Sequence, residues 1–331
     1  MRLLLPLLVL LGCKPLPEET DVPSGIDTGW FDDTDHLVPC EDLVTSANPV
    51  DGDTDWYWRE PIRVRVETEG ADAYAAEVRQ EGIPLTSELV WDESGLAFTL
   101  DTPVPLVPET DHQLVLVDCQ GTTVHQFRTN AFGLPLTEGT GSLWGNTYVV
   151  DLAAAEWIEP GGFGSILQIY FSAPILVGVT YAQGSDIDLM GAVGYRNDLG
   201  EILQDPTQDT FDFPVAANTD LPWFQASSDI LVTIDGVPIT IYGFELSGTF
   251  APDGSALGGA TVEGLGDTRA MGALVDRPGD EGALCEMAGS LGAQCQDCPD
   301  GEPYCLALEA RSVDGSLAPG LRLVRRAPSG G

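Results

Sequence analysis

The sequence predicts a mainly β chain: a β-sandwich over residues 38–132, then a second antiparallel β-rich domain, barrel- or sandwich-like, over residues 133–325. A short disulfide-clamped helical insert is expected in the second domain. Three observations predict this. Short runs rich in Val, Ile, Thr, Tyr and Phe recur with Gly, Pro, Asp and Asn between them. Helical periodicity is confined to a stretch after Asp267. Four of the seven cysteines crowd into residues 285–305.

The chain opens MRLLLPLLVLLGCKP. Arg2 is a short positive segment, and Leu3 to Leu11 form an apolar run too short to span a bilayer as a helix. Leu10-Leu11-Gly12-Cys13 resembles the lipobox of bacterial lipoproteins. That resemblance implies removal of residues 1–12 and lipidation of Cys13 as the mature N-terminus; an ordinary signal peptide or a misassigned start is the alternative. It also implies a protein anchored in the bacterial cell envelope by lipid. Lys14 stands where Asp would retain such a protein at the inner membrane, which points to the outer membrane. Residues 13–37 combine Pro, Gly, Thr and Asp and read as an acidic, extended, self-repelling tether.

The formal charge is −38, carried by 52 Asp and Glu against 14 Lys and Arg. Such a chain has no electrostatic footprint for nucleic acid, and anionic headgroups repel it. The expected partners are the membrane, through the lipid, and an envelope protein or polysaccharide. The oligomeric state is not legible in the sequence.

From Val38 the strands come in order. PIRVRVET alternates Ile62, Val64 and Val66 with Arg63 and Arg65, as a half-buried strand does. SELVWDE, GLAFTLD, HQLVLVDC and TVHQFRT follow at sandwich-like spacing. The entry NPVDGDTDWYWREPIRV, the central LVWDESGLAFTLDTPVPLVPETDHQLVLVD and the final FRTNAFG resemble bacterial Ig-like domains that end many surface and envelope proteins. The resemblance implies a spacer or adhesion module and no chemistry. Asp51, Asp53 and Asp55 begin like a calcium loop. Trp56 and Ile62 then occupy positions that need Gly and a bidentate carboxylate, so the motif fails.

In the second domain NTYVVDL, SILQIYF, PILVGVTYA and DIDLMGAVGY read as strands. DILVTIDGVPITIYGFELSGTFA predicts a hairpin about Asp235-Gly236, with Thr240, Tyr242, Phe244 and Leu246 on one face. DTRAMGALVD and DEGALCEMAGSLG turn helical, with Leu284, Met287, Ala288 and Leu291 in one stripe and Gly292 as the stop. YCLALEARSV is the last strand, and residues 326–331 are expected as a frayed tail. SGTFAPDGS, DTR and the CxxCPDGxxxC spacing resemble C-terminal regions of bacterial envelope lipoproteins, a resemblance that assigns no residue a role.

No catalytic signature is found. The three histidines, His36, His112 and His125, all precede the second domain, which excludes a His-based metal site or triad confined to it. No phosphate loop, dinucleotide fingerprint or Gly-x-Ser-x-Gly is present. No cofactor and no metal is expected. Paired carboxylates such as Asp186 with Asp188, or Asp209 with Asp212, read as surface charge.

With Cys13 assigned to lipid, six cysteines remain, an even number in an oxidising compartment. Cys40 and Cys119 bracket the sandwich and are expected to pair, constraining the unfolded chain by about 4–5 kcal/mol. Cys285, Cys295, Cys298 and Cys305 are expected to form two disulfides, with pairing 285–295 and 298–305 favoured. A metal site and a redox site are the other readings of this cluster.

The expected role is structural, adhesive or interaction-based. The alternatives are a carrier holding an apolar ligand among Trp144, Tyr170, Tyr242 and Phe244, and a carboxylate-based glycan hydrolase.

Overall fold

A computed structural model describes residues 43–70, 73–161, 173–216, 222–234 and 236–326. Ile62, Val64 and Val66 are buried while Arg65 between them is exposed, so the alternation of PIRVRVET becomes one face on a core and one in water. The same reasoning builds nine strands: β1 (Val44–Asn48), β2 (Asp53–Trp56), β3 (Ile62–Val66), β4 (Ala75–Gln80), β5 (Ile83–Pro84), β6 (Glu88–Trp91), β7 (Ala97–Asp101), β8 (Asp111–Asp118) and β9 (Gly121–Thr129).

These strands form two sheets, ordered β1-β3-β7-β6 and β2-β9-β8-β4-β5. Lettered along the chain as A, A′, B, C, C′, D, E, F and G, the sheets are A-B-E-D and A′-G-F-C-C′. That is the strand order of an Ig-like sandwich. β2 runs parallel to β9 and the other pairs are antiparallel, because the first strand is split between the sheets. The core between them holds Val64, Val78, Phe98, Leu100, Leu114, Leu116 and Phe127. The cysteine pair that joins the sheets of antibody domains is replaced by apolar contact, since Val64 and Leu114 stand on the central strands.

The next strands are β10 (Thr147–Val150), β11 (Glu156–Glu159), β12 (Ile175–Gln183), β13 (Asp186–Arg196), β14 (Ile202–Gln204), β15 (Thr210–Ala216), β16 (Trp223–Ile234), β17 (Val237–Phe250), β18 (Ala256–Asp267) and β19 (Cys305–Leu317). They make one sheet ordered β14-β13-β12-β10-β19-β18-β17-β16, with β15 added to β13 and β11 to β19. β15 also lies against β16, so the two ends of the sheet approach and it curls, barrel-like, around one core. Tyr148, Ile187, Phe213, Phe224 and Phe250 fill that core. The curl needs close approach at Gly191, where a Cβ would sit 1.8 Å from the Phe211 ring lying across it.

The long arm of the hairpin departs from the predicted alternation. Ile239 and Ile241 face the core, but a bulge between Tyr242 and Glu245, with Gly243 at φ 55°, reverses the faces beyond it. Phe244 and Leu246 therefore pack inward with Ile241, and Tyr242 faces outward; the expected single stripe of Thr240, Tyr242, Phe244 and Leu246 is not formed. Asp235 lies outside the described residues, while Gly236 has the expected positive φ of 81°.

Between β18 and β19 the helical stretch is a 3-10 turn, Arg269–Val275, followed by α1 (Ala283–Ser290). Leu284 and Ala288 bury against the core and Leu291 is exposed. Gly292 ends the helix at φ 92°, the left-handed conformation that glycine adopts without a Cβ penalty. Arg326, at the start of the expected tail, is still held, its N–H donating to Thr210 Oγ1 at 3.0 Å. Residues 327–331 lie outside the described residues.

Residues 40–331 form one compact unit containing both cores. The contact between them is specific. The hydroxyls of Tyr57 and Thr249 hydrogen-bond at 2.5 Å, and the Trp58 indole N–H reaches Thr249 Oγ1 at 3.4 Å. Arg59 lies between the Trp58 and Trp223 rings, 4.5 and 4.3 Å from their centroids. Gly258 and Gly259 of β18 make room for the rings of Phe132 and Tyr57, each of which a Cβ would approach to 2.4 Å.

Candidate functional site: an acidic groove beside the disulfide clamp

The strand register of the curled sheet gathers charges that are far apart in sequence. Glu245 of β17 is opposite Glu263 of β18, Glu263 is opposite Glu309 of β19, and Glu309 is opposite Glu159 of β11. Residues directly opposite share a face, so four glutamates form a row across four neighbouring strands. The row faces away from the core, because Val262 and Ala310, one residue along, are buried. The glutamates border a groove of ≈ 650 Å³ floored by Leu265, Ala307 and Leu308, with Tyr242 and Pro299 also lining it.

Like charges in register repel, at about 0.2–1 kcal/mol per pair on an exposed sheet. Partial burial, and then the carboxylates of Glu309 and Glu245 on either side, hold the Glu263 carboxyl above the usual range. Arg311 pairs with Glu309 at 2.6 Å, and the Gln225 amide donates to Glu245 Oε1 at 2.5 Å, so each flanking carboxylate has its own partner.

The cysteine cluster meets this groove. Disulfides join Cys285 to Cys295 and Cys298 to Cys305, with Cα separations of 5.6 and 5.0 Å. All four sulfurs are thereby engaged, leaving none for a metal or a free thiol pair. Gln296 and Cys305 exchange backbone hydrogen bonds of 2.7 and 3.0 Å, closing the loop that carries Pro299. Asp300 in the same loop accepts from Arg269 at 2.7 Å, and Arg269 Nε donates to Asp267 Oδ1 at 2.9 Å. The Arg269 hydrogen bonds hold the Asp267 carboxyl below its usual range. Tyr242 in turn donates to Asp267 Oδ2 at 3.4 Å. The clamp thus connects through Arg269 and Asp267 to the tyrosine at the groove wall. Thr268 does not cap the following 3-10 turn; its hydroxyl donates to Tyr304 O at 2.7 Å, and Asp267 receives the Arg269 backbone N–H instead.

The other residues singled out from sequence are dispersed. Phe244 packs with Phe211 and Phe213, at centroid distances of 6.4 and 5.9 Å, against the domain core. Trp144 is 59 % exposed and its indole N–H donates to Thr180 O at 3.1 Å. Trp144, Tyr242 and Phe244 do not line one cavity, because the bulge turns Phe244 away from Tyr242 and Trp144 sits on another surface. Tyr170, Cys13 and Cys40 lie outside the described residues. Cys119 is disulfide-bonded. Asp51 and Asp53 accept backbone N–H bonds from Gln126 at 2.8 Å and Asp55 at 3.0 Å, as an acidic turn does. Sequence reasoning missed the glutamate row, since only strand register brings positions 159, 245, 263 and 309 together.

No family model and no curated protein matches the chain. Among solved structures it is similar to a chimeric titin Z1Z2-Z1Z2 tandem functionalised with a GRGDS exogenous peptide from fibronectin: 10 % identity, 60 % of this chain and 95 % of that one, TM-score 0.19. It is also similar to surface layer protein SbsC, domains 1–6, at 11 % identity, with 88 % of this chain and 55 % of that one covered and TM-score 0.22. For the S-layer protein rSbsC(31-844) the values are 10 %, 83 %, 54 % and 0.19. The chain spans about half the length of the S-layer chains. The Ig-like fold of the first nine strands follows from their order in the two sheets.

Proposed function

We propose that the chain is a lipid-anchored cell-envelope protein whose role is structural, adhesive or interaction-based and non-catalytic. The lipobox-like Cys13 would hold it on the membrane, the acidic tether would space it from the surface, and the Ig-like module would be a fixed stem for the β-rich domain. The observation that carries this reading is the joint. Tyr57, Trp58, Arg59 and Phe132 of the stem seat on Thr249, Trp223, Gly258 and Gly259 with ring contacts and a part-buried hydroxyl pair, contacts that favour a stem held in one orientation on the β-rich domain.

Two measurements test it together. Labelling with a fatty-acid analogue is expected for the wild-type chain and lost in Cys13→Ser, with the labelled chain in the envelope fraction. Affinity capture from envelope extracts is expected to retain a protein or polysaccharide. An unlabelled chain in the soluble fraction, with nothing captured, overturns the reading.

The second reading, a carboxylate-based hydrolase, is favoured by one observation: Glu263 has a raised carboxyl between two others in a groove. Glycan hydrolysis by the wild-type chain that disappears in Glu263→Gln would replace the first reading with this one.

A further inference from the structure

The residue following the short 3-10 turn Thr140–Leu143 is Trp144, 59 % exposed but fixed in place. Its indole N–H is held by Thr180 O at 3.1 Å, and Gly145 and Asn146 exchange backbone hydrogen bonds of 2.9 Å with Val179. The Arg322 guanidinium carbon stands 5.8 Å from the indole centroid. It rests on Gly145, where a Cβ would come within 3.1 Å of it; the φ of +82° also requires glycine there. Among the described residues Arg322 makes no ion pair, whereas Arg269, Arg277 and Arg311 each find a carboxylate. In a chain of formal charge −38 this exposed guanidinium beside an exposed indole keeps its hydrogen-bond donors free of carboxylate partners among the described residues. Trp144, Asn146, Thr180 and Arg322 border a depression of ≈ 180 Å³.

We infer that this depression binds a single sugar ring carrying a carboxylate. A fixed, exposed indole offers a flat apolar surface to the C–H face of a pyranose. The planar fork of Arg322 matches a carboxylate with two parallel N–H···O bonds. The volume is below the about 300–1,000 Å³ of sites for drug-sized ligands, so it suits one ring. The net charge repels a long polyanion, which makes the occupant one uronate within an otherwise neutral glycan. This names a ligand class for the interaction role proposed above and rests on that role.

The test titrates methyl glucuronide and methyl glucoside into the purified full chain at 0.15 M salt, read by saturation-transfer NMR and calorimetry. The glucuronide is expected to bind, with the glucoside weaker by about tenfold or more, the difference being the charged hydrogen bonds. Arg322→Gln is expected to weaken the glucuronide by about tenfold, with Arg322→Lys between the two. Trp144→Ala is expected to weaken both sugars. Because Arg322 is exposed, its variants should keep the wild-type melting temperature, so a loss of binding reads as loss of contact. No glucuronide binding, equal binding of the two sugars, inorganic phosphate competing as well as the glucuronide, or full binding by Arg322→Gln overturns the site. Those outcomes leave Cys13 labelling and envelope fractionation unaffected, so failure of this site and failure of the envelope role are separable.

Discussion

The hydroxyl of Tyr57 in the Ig-like stem and that of Thr249 in the curled sheet share a hydrogen bond of 2.5 Å, at a point where Thr249 is wholly buried. This pair fastens the two cores to each other. Burial pushes the Tyr57 phenol up to about 12, with the Thr249 hydrogen bond acting in the opposite direction.

Weakening the joint should uncouple the two cores. Tyr57→Phe removes one partner of a buried pair, at a cost of about 1–3 kcal/mol. Gly259→Ala forces a Cβ onto the Tyr57 ring at a position of φ +57° and should cost at least as much. Calorimetry should show one transition in the wild-type chain and broadening or splitting in either variant. The raised phenol predicts alkaline sensitivity: its contribution is complete below pH 10 and is lost as pH rises toward about 12, because the unfolded chain ionises first.

The Cys298–Cys305 bridge closes a short loop, so its removal should lower stability by about 2–3 kcal/mol in the chain-entropy picture. The double substitution Cys298→Ser with Cys305→Ser should also free Asp300 from Arg269, detected as greater hydrogen exchange over residues 296–304. Thiol titration of the native chain should find Cys285, Cys295, Cys298 and Cys305 unreactive until a reductant is added.

His112 is fully buried in the sandwich and stacked on Phe127 at 5.3 Å, with Nε2 3.3 Å from Val107 O and no partner for Nδ1 among the described residues. Desolvation lowers its pKa, against the opposing hydrogen bond to Val107 and the nearby Asp111, which itself pairs with Arg128 at 2.9 Å. Between its folded and unfolded pKa values the unfolded chain binds the extra proton, so stability should fall as pH drops below about 6.5. The slope attributable to this residue should reach at most about 1.4 kcal/mol per pH unit and vanish in His112→Phe, measured by urea unfolding at stepped pH.

The glutamate row predicts a stabilising substitution. A carboxyl raised in the folded state contributes fully below its unfolded pKa and loses that contribution as pH rises through the folded value, so at pH 7 Glu263 opposes folding. Glu263→Gln should therefore stabilise the protein at pH 7 by about 0.2–1 kcal/mol per relieved pair, with little change at pH 4. Added salt should narrow the difference between variant and wild type.

Local chemistry made much of this molecule legible. Alternation in PIRVRVET, the Pro- and Gly-marked turns, and the stripe of Leu284 and Ala288 ending at Gly292 each rest on neighbours within a few residues. That Cys285, Cys295, Cys298 and Cys305 form two bridges was legible for the same reason, while the sequence left three connectivities open and the structure selects 285–295 with 298–305. The bulge at Gly243 was not legible. Whether a strand reverses its faces depends on what its partners β16 and β18 demand, and that reversal puts Tyr242 and Phe244 on opposite faces. The row of Glu159, Glu245, Glu263 and Glu309 is likewise a product of register across four strands. The sequence by itself determined the fold class, the presence of two bridges among four clustered cysteines and the acidic character; only the tertiary structure decided which cysteines, charges and rings meet, because cross-strand distances are set by pairing and not by order along the chain.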